Sequence, residues 1–220
     1  MRDIITIDGP SGAGKSTIAR LLAKRLGYRY LDTGALYRAA AWKVKREGIN
    51  PDDESAIRDV LNNTKITING DRVFVDGIDV SSEIRTRELG ELSSRVSAIP
   101  FVRGYLLSIQ REAGIKGRVV VEGRDTGTVI FPDAMNKFFL DASVEERARR
   151  RYKELINKDP NITLEETIED IRRRDKRDSM RDIAPLKRTV DMVYIDTTNL
   201  SIDEVITEMV KNLRRFNEDT

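Results

Sequence analysis

The chain contains neither cysteine nor histidine. Without cysteine there is no disulfide framework, no thiolate nucleophile and no cysteine-held metal. Without histidine the usual general base near neutral pH is missing, and so is the imidazole metal ligand. Aromatic residues make up only 6% of the chain, and they are sparse along its arginine-rich helices, which counts against a surface that stacks bases. Net charge is nearly absent too: 39 Lys and Arg against 37 Asp and Glu leave +2 over 220 residues. No global field therefore draws the protein to nucleic acid, and any attraction must come from local clusters. No apolar run approaches membrane-spanning length, and the sequence opens on a strand pattern rather than a signal peptide. The expectation is a soluble, cytoplasmic protein with one substantial core and room for an inserted subdomain.

What is present is a phosphate-binding loop. Gly9-Pro10-Ser11-Gly12-Ala13-Gly14-Lys15-Ser16 fits the pattern G-x-x-x-x-G-K-[ST] without mismatch. The glycines let the backbone curl so that its N–H groups face phosphate oxygens. Lys15 can reach the terminal phosphates, Ser16 can ligate Mg²⁺, and the helix that follows offers its positive end to the same anion. The context agrees: Ile4, Ile5 and Ile7 precede the loop as a buried strand. Ile18, Leu21, Leu22 and Leu26 follow at helical spacing, and Gly27 is placed to end that helix.

Further along, strands alternate with helices. Buried strands are expected at residues 4–7, 28–31, 118–121, 137–140 and 192–195, which implies a parallel sheet covered on both faces. Between them lie a helix at 34–47 closed by Gly48, and a short one capped by Asp52 or Asp53. Two more helices, 85–98 and 100–113, meet at Pro100. Capping boxes at Ser143/Glu146, Thr163/Glu166 and Ser201/Glu204 start three others. Residues 65–68 and 72–75 break the pattern: they alternate with period two around Asn69-Gly70, and Asp76-Gly77 adds another turn before 78–80. An antiparallel insertion over about residues 62–84 is expected, either an ordinary hairpin or a flap over a substrate.

The arginines narrow the chemistry. Arg147, Arg150 and Arg151 share one helical face, while Arg172, Arg173, Arg174, Arg177 and Arg181 crowd the next helix with Asp175 and Asp178 among them. They read either as a solvated, charge-balanced face or as a mobile lid over residues 151–183 that closes on transferring phosphates. A sugar hydroxyl acceptor would call for a carboxylate base. A phosphate monoester, with a second pKa of about 6, is already mostly ionised near pH 7 and needs its charge neutralised instead. Arginine-rich and histidine-free, the chain leans toward an anionic acceptor held by guanidinium forks.

At this point the residues carry a resemblance. Residues 5–15, Leu31-Asp32-Thr33-Gly34-Ala35-Leu36-Tyr37-Arg38, Asp79-Val80-Ser81 with Ile84-Arg85, Gly123-Arg124-Asp125-Thr126-Gly127-Thr128-Val129, Phe131-Pro132-Asp133-Ala134, and Arg177-Asp178 with Arg181 and Ala184-Pro185-Leu186 together resemble the bacterial cytidylate kinases over essentially the whole chain. The resemblance implies an α/β P-loop NTPase fold: a five-stranded parallel sheet flanked by helices, an arginine-rich lid, and a small antiparallel insertion in the monophosphate-binding region. It divides a single kinase domain into a core (about 1–33, 114–150 and 184–220), a monophosphate-binding region (about 34–113) and a lid (about 151–183). The implied reaction is transfer of the ATP γ-phosphoryl group to CMP or dCMP. ATP is the co-substrate, Mg²⁺ the ion, and neither nucleic acid, membrane nor a second subunit is a partner.

Residue by residue, the resemblance assigns Gly9, Pro10, Ser11, Gly12, Ala13, Gly14, Lys15, Ser16, Thr17 and Arg150 to ATP, with Ser16 also on the metal. Thr33, Ser94, Arg103, Arg124 and Asp125 fall to the cytosine side, Arg38, Arg174 and Arg181 to the monophosphate, and Asp178 to the ribose. Lys15, Arg124, Arg174 and Arg181 are the residues expected to act on the transferring group. Glu122 stands where many relatives have Asp, which leaves its part in ordering Mg²⁺ open. Tyr37 reads either as stacking near the substrate or, in preference, as packing, and Trp42, in mid-helix, reads as core. Other readings on a phosphate-loop scaffold are a kinase for a different small acceptor, a regulatory GTPase, and a nucleic-acid-dependent ATPase. The second lacks its guanine-reading Asn-Lys-x-Asp, because Pro160 follows Asn157-Lys158-Asp159.

Overall fold

The computed structural model describes residues 3–157 and 159–214; the ends of the expected core at 1–2 and 215–220, and Lys158 of the expected lid, lie outside the described residues. In chain order the first elements are β1 (Ile4–Asp8), α1 (Lys15–Leu26), β2 (Arg29–Asp32), α2 (Thr33–Arg46) and α3 (Glu54–Asn62). A small antiparallel sheet follows, β3 (Ile66–Asn69), β4 (Arg72–Val75) and β5 (Ile78–Asp79), then α4 (Arg87–Val96) and α5 (Pro100–Gly114). The chain continues through β6 (Val119–Gly123), β7 (Asn136–Asp141), α6 (Val144–Leu155), α7 (Leu164–Met180), β8 (Val193–Asp196) and α8 (Ile202–Lys211). A 3₁₀ turn at Glu83–Arg85 and a π-helical turn at Thr126–Ile130 complete the set.

The five expected core strands form one parallel sheet in the order β2-β6-β1-β7-β8. β1 pairs in parallel with both β6 and β7, and β7 with β8. Neighbours on both edges and the helical cover that crossovers lay on the faces of a parallel sheet leave this central strand no solvated side, and Ile4-Ile5-Thr6-Ile7-Asp8 is buried at every position. The third core strand starts at Val119, one residue later than its hydrophobic pattern suggests, because Arg118 takes φ 46° and cannot extend.

By contacts the chain divides into two compact units, residues 1–30 with 117–220 and residues 31–116. In the first, one face of the sheet (Ile5, Ile7, Val120, Phe138, Leu140, Ile195) is sealed by Ile18 and Leu22 of α1 and by Val205, Ile206 and Met209 of α8. Each such side chain contributes about 1.5–3 kcal/mol when fully withdrawn from water. Leu21, part of the helical repeat in the sequence, is instead 39% exposed on the outer side of α1.

The second unit is built around α2, whose Ala39, Ala40 and Ala41 are all fully buried. Alanines on several sides of one helix let its neighbours approach closely, and α3, α4, α5 and the small sheet all contact it. The inner side chains of that sheet, Ile66, Val73 and Val75, belong to the same core. The insertion is therefore a packed wall of its unit. Trp42 is core, as expected, with its indole N–H donating to Glu83 Oε2 at 2.9 Å.

Candidate functional site

In the first unit the phosphate loop joins β1 to α1. Gly9, Gly12 and Gly14 take φ of 149°, 80° and 85°. A Cβ on Gly9 would lie 1.9 Å from the Leu140 carbonyl oxygen, and one on Gly12 2.8 Å from that of Arg147. Both positions therefore need glycine for room as well as for φ. Gly14 is the N-cap of α1 and supplies no side chain to its first turn. Among the other helices, α2, α3, α4, α6, α7 and α8 receive an Asp, Thr or Ser cap. α5 opens on Pro100, which has no N–H to satisfy at that position. The first-turn N–H groups of α1 are thus left to a ligand, and an anion answers both their hydrogen bonding and the helix dipole. Ser16 and Thr17 are exposed on that turn.

Lys15 is 5% exposed and donates to the Pro10 carbonyl at 2.6 Å. Burial, with the positive charges of Arg124 and Arg174, pushes its ammonium down to about 7, and Glu122 and Asp178 only partly offset this. A buried cation destabilised by two neighbouring cations is a site short of negative charge.

The groups around Lys15 come from the end of β6 and the residue after it, and from α7. Arg124 donates from Nε to Asp178 Oδ2 at 2.8 Å and from Nη1 to its neighbour's Gly123 carbonyl at 3.2 Å. Arg174 Nε stands 3.9 Å from the same Asp178 oxygen. Burial works against the Asp178 carboxylate, but Arg124 and Arg174 hold it below the ordinary range. Arg181 Nη2 lies 3.6 Å from Asp125 Oδ1, and its Nε donates at 2.6 Å to the carbonyl of Ala184, a residue in the left-handed region at φ 52°. Five of the residues singled out in the sequence, Arg124, Asp125, Arg174, Asp178 and Arg181, are thereby linked in two ion-paired groups.

The arginine cluster sorts by burial. Arg172 and Arg173 form surface pairs with Glu145 and Asp170. On α6 the three arginines that share a face take different partners. Arg151 pairs with Glu154 at the surface, while Arg150 binds Glu146 and both the hydroxyl and carbonyl oxygens of Thr197. Arg150 borders the phosphate loop, since a Cβ on Gly14 would stand 3.7 Å from its Nη1. Arg147 is buried and donates to the carbonyls of Ala142 and Ser11 and to Asp175.

Asp8 carries weight that the sequence reading did not give it, and Glu122, whose part was left open there, finds a partner. Asp8, fully buried, accepts from Thr126 N, Thr126 Oγ1 and Gly127 N, each at 2.8 Å. Burial pushes its carboxyl up to about 6 against the pull of those donors. It fastens the end of β1 to the π-helical turn that follows Arg124 and Asp125, and so sets both sides of the site. The available signal was a charged residue closing an otherwise apolar buried strand, which must find partners. Glu122, 4% exposed, accepts from the Tyr30 hydroxyl at 2.7 Å.

In the second unit, Asp32 caps α2 through Ala35 N at 2.9 Å and pairs with Arg38 at 2.8 Å. Thr33 is buried at the first position of that helix. Arg38 Nε and Ser94 Oγ are buried with no hydrogen-bond partner among the described residues, a cost of about 1–3 kcal/mol each unless a ligand satisfies them. Arg103 donates to the Ser97 carbonyl and lies over the Tyr37 ring, 5.3 Å from its centroid. Tyr37 thus packs in the core, as expected, and also supports the Arg103 guanidinium.

A family model described as cytidylate kinase matches residues 5–215. The chain is 52% identical over 215 residues to a cytidylate kinase of Geobacter sp. (strain M21), covering 96% of this chain and 92% of that one. A cytidylate kinase of Caldanaerobacter subterraneus subsp. tengcongensis is 50% identical over 211 residues, covering 96% and 94%. Among solved structures, an uncharacterized protein from Eubacterium ventriosum aligns at a TM-score of 0.54 and 12% identity over 96% of this chain and 97% of that one, a likeness of fold alone.

Proposed function

The chain belongs to the cytidylate kinase family, and from that membership we propose that it transfers the γ-phosphoryl group of ATP to CMP or dCMP, giving the diphosphate. One observation from the chain itself carries the reading furthest: Lys15 is buried near Arg124 and Arg174, and that burial together with their charges depresses the lysine, in a protein with no histidine. Such a cluster is costly until it receives anions, and two nucleotides supply them.

The phosphate loop, with Thr17 and Arg150 beside it, is assigned to ATP. Lys15 is assigned to the oxygens of the group in flight. Arg38, Arg174 and Arg181 are assigned to the acceptor phosphate, Asp178 to the ribose, and Thr33, Ser94, Arg103, Arg124 and Asp125 to the base side. The acceptor phosphate is mostly a dianion near pH 7 and needs no base to activate it. What must be overcome is its repulsion from ATP and the charge on a loose transition state, and fixed cations do both. The unpartnered Ser94 hydroxyl and Arg38 Nε favour these assignments.

Among the described residues no group of three His, Cys, Asp or Glu is arranged to hold a metal. The exposed Ser16 hydroxyl on the first turn of α1 fits an ion carried mainly by the phosphates, as Mg²⁺ commonly is. When bound, Mg²⁺ would neutralise charge on the β and γ oxygens. Cytoplasmic, monomeric action belongs to the same proposal, and among the described residues no helix is long and apolar enough to cross a membrane.

The deciding experiment is a coupled assay of ADP release with ATP against CMP, dCMP, UMP, AMP and GMP. CMP and dCMP should be turned over fastest; a preference for any purine monophosphate would overturn the proposal. A second expectation follows from Lys15. At pH 7.5 an ammonium with a value of about 7 is mostly neutral. Bound polyphosphate favours the charged form, so ATP binding should take up as much as about one proton. Calorimetry at that pH in buffers of different ionisation enthalpy should give different apparent enthalpies. Affinity should weaken as pH rises from 7 to 8.5, and buffer-independent enthalpies would contradict it.

A further inference from the structure

Arg147 and Asp175 have no part in the assignments above, yet they join the two sides of the first unit's site. Arg147 sits on the first turn of α6 and is 4% exposed. Its Nε donates to the Ala142 carbonyl at 2.9 Å, which fixes the guanidinium to its own strand end. Its Nη1 reaches the carbonyl of Ser11, inside the phosphate loop, at 3.1 Å, and Asp175 Oδ2 on α7 at 2.6 Å. The loop also leans on the same residue from behind, because a Cβ on Gly12 would strike the Arg147 carbonyl oxygen at 2.8 Å and its Cβ at 2.9 Å. Asp175 in turn lies between Arg174 and Asp178 on α7. Its remaining oxygen, Oδ1, is buried with no hydrogen-bond partner among the described residues, so Asp175 is held through the Oδ2 that pairs with Arg147.

We propose that the Arg147–Asp175 pair is a positioning device that couples the two substrates: the shape of the phosphate loop, sensed through the Ser11 carbonyl, sets the position of Arg174 and Asp178. The proposal rests on the functional reading that gives the loop to ATP and those α7 residues to the monophosphate. A planar guanidinium offers donors in fixed directions, so a shift of one acceptor is passed to the other. With ATP bound, the loop carbonyl is fixed and Asp175 is held. α7 then meets the second nucleotide with less left to order, which makes binding of one substrate strengthen binding of the other. Lysine in place of Arg147 keeps the charge but cannot hold the Ala142, Ser11 and Asp175 oxygens at their fixed angles.

The test uses the full chain and calorimetric affinities for CMP, alone and with saturating adenylyl imidodiphosphate, a non-hydrolysable ATP analogue. In the unaltered protein the analogue should tighten CMP binding on the order of tenfold. Asp175→Asn and Arg147→Lys should each bring that factor close to one, while the analogue's own affinity changes less than about twofold. Glu154→Gln, which breaks the surface pair with Arg151, should leave the factor intact. A purely structural loss would lower the melting temperature and both affinities without touching their ratio. Either variant that folds decides the matter, and an unchanged factor overturns the proposal. So does an equal loss in Glu154→Gln. If CMP does not bind the unaltered protein at all, the functional reading itself fails and this proposal with it. If CMP binds but is indifferent to the analogue, only the coupling is refuted.

Discussion

Replacing Lys15 by alanine should cut turnover by about 10³-fold or more while leaving the fold in place. The size follows from where the charge sits. Lys15 is buried at the start of α1, hydrogen-bonded to the loop carbonyl of Pro10, and electrostatically close to Arg124 and Arg174. In so dry a site a charge aimed at developing negative charge acts through little screening and needs no reorganisation at the moment of reaction. The fold should survive because the ammonium is a burden there in the absence of ligand. Its lowered value, set first by burial and then by the two arginines, means the folded state disfavours the charged form, so removing the group removes the cost of burying or neutralising it. The melting temperature of ligand-free Lys15→Met, which keeps most of the volume, should therefore match or exceed that of the parent. Turnover within tenfold of the parent would refute the role, and unfolding at ordinary temperature would show that the side chain is structural.

Much of this could be read from local pattern. The five core strands and the capping boxes at Thr163 and Ser201 are each written within a few neighbouring residues and appear as expected, while the hairpin turns one residue later than Asn69-Gly70, on Gly70-Asp71, because Asn69 pairs with Arg72. Where pattern and structure part, the cause is tertiary. Nothing in the run Arg118–Val121 announces that Arg118 adopts a left-handed φ. The spacing of Arg147, Arg150 and Arg151 places them on one helix face, but packing decides that the first is buried against a loop carbonyl and the last stays at the surface. Asp8 finds its partners 118 and 119 residues away, and Arg147 finds Asp175 28 residues on. Pairings of that span leave no periodic trace. What can be inferred beforehand is that a buried charge must have a partner, not which one.

The second large effect concerns Asp125. Its main chain is held independently of its side chain, since its carbonyl oxygen accepts from Val129 N at 2.9 Å and Ile130 N at 3.2 Å. Substitution should therefore leave the turn after β6 standing. The carboxylate itself is 3% exposed and lies 3.6 Å from Arg181. Cytosine offers an amino donor at C4, where uracil presents an oxygen. A buried carboxylate facing that position would accept from the first and repel the second. Asp125→Ala should lower kcat/KM for CMP by roughly 10³-fold, because a site built to hydrogen-bond its substrate loses heavily when one partner is gone. Affinity for an ATP analogue should stay within about twofold. The two ways Asp125 could matter are separable. If it only steadies Arg181, every monophosphate loses the shared phosphate contact equally, and the ratio of CMP to UMP turnover is unchanged. If it reads the base, Asp125→Asn, whose amide can donate where the carboxylate could only accept, should lower activity with CMP while lifting UMP relative to it. A ratio that does not move in Asp125→Asn would assign the residue to Arg181 and remove it from base recognition.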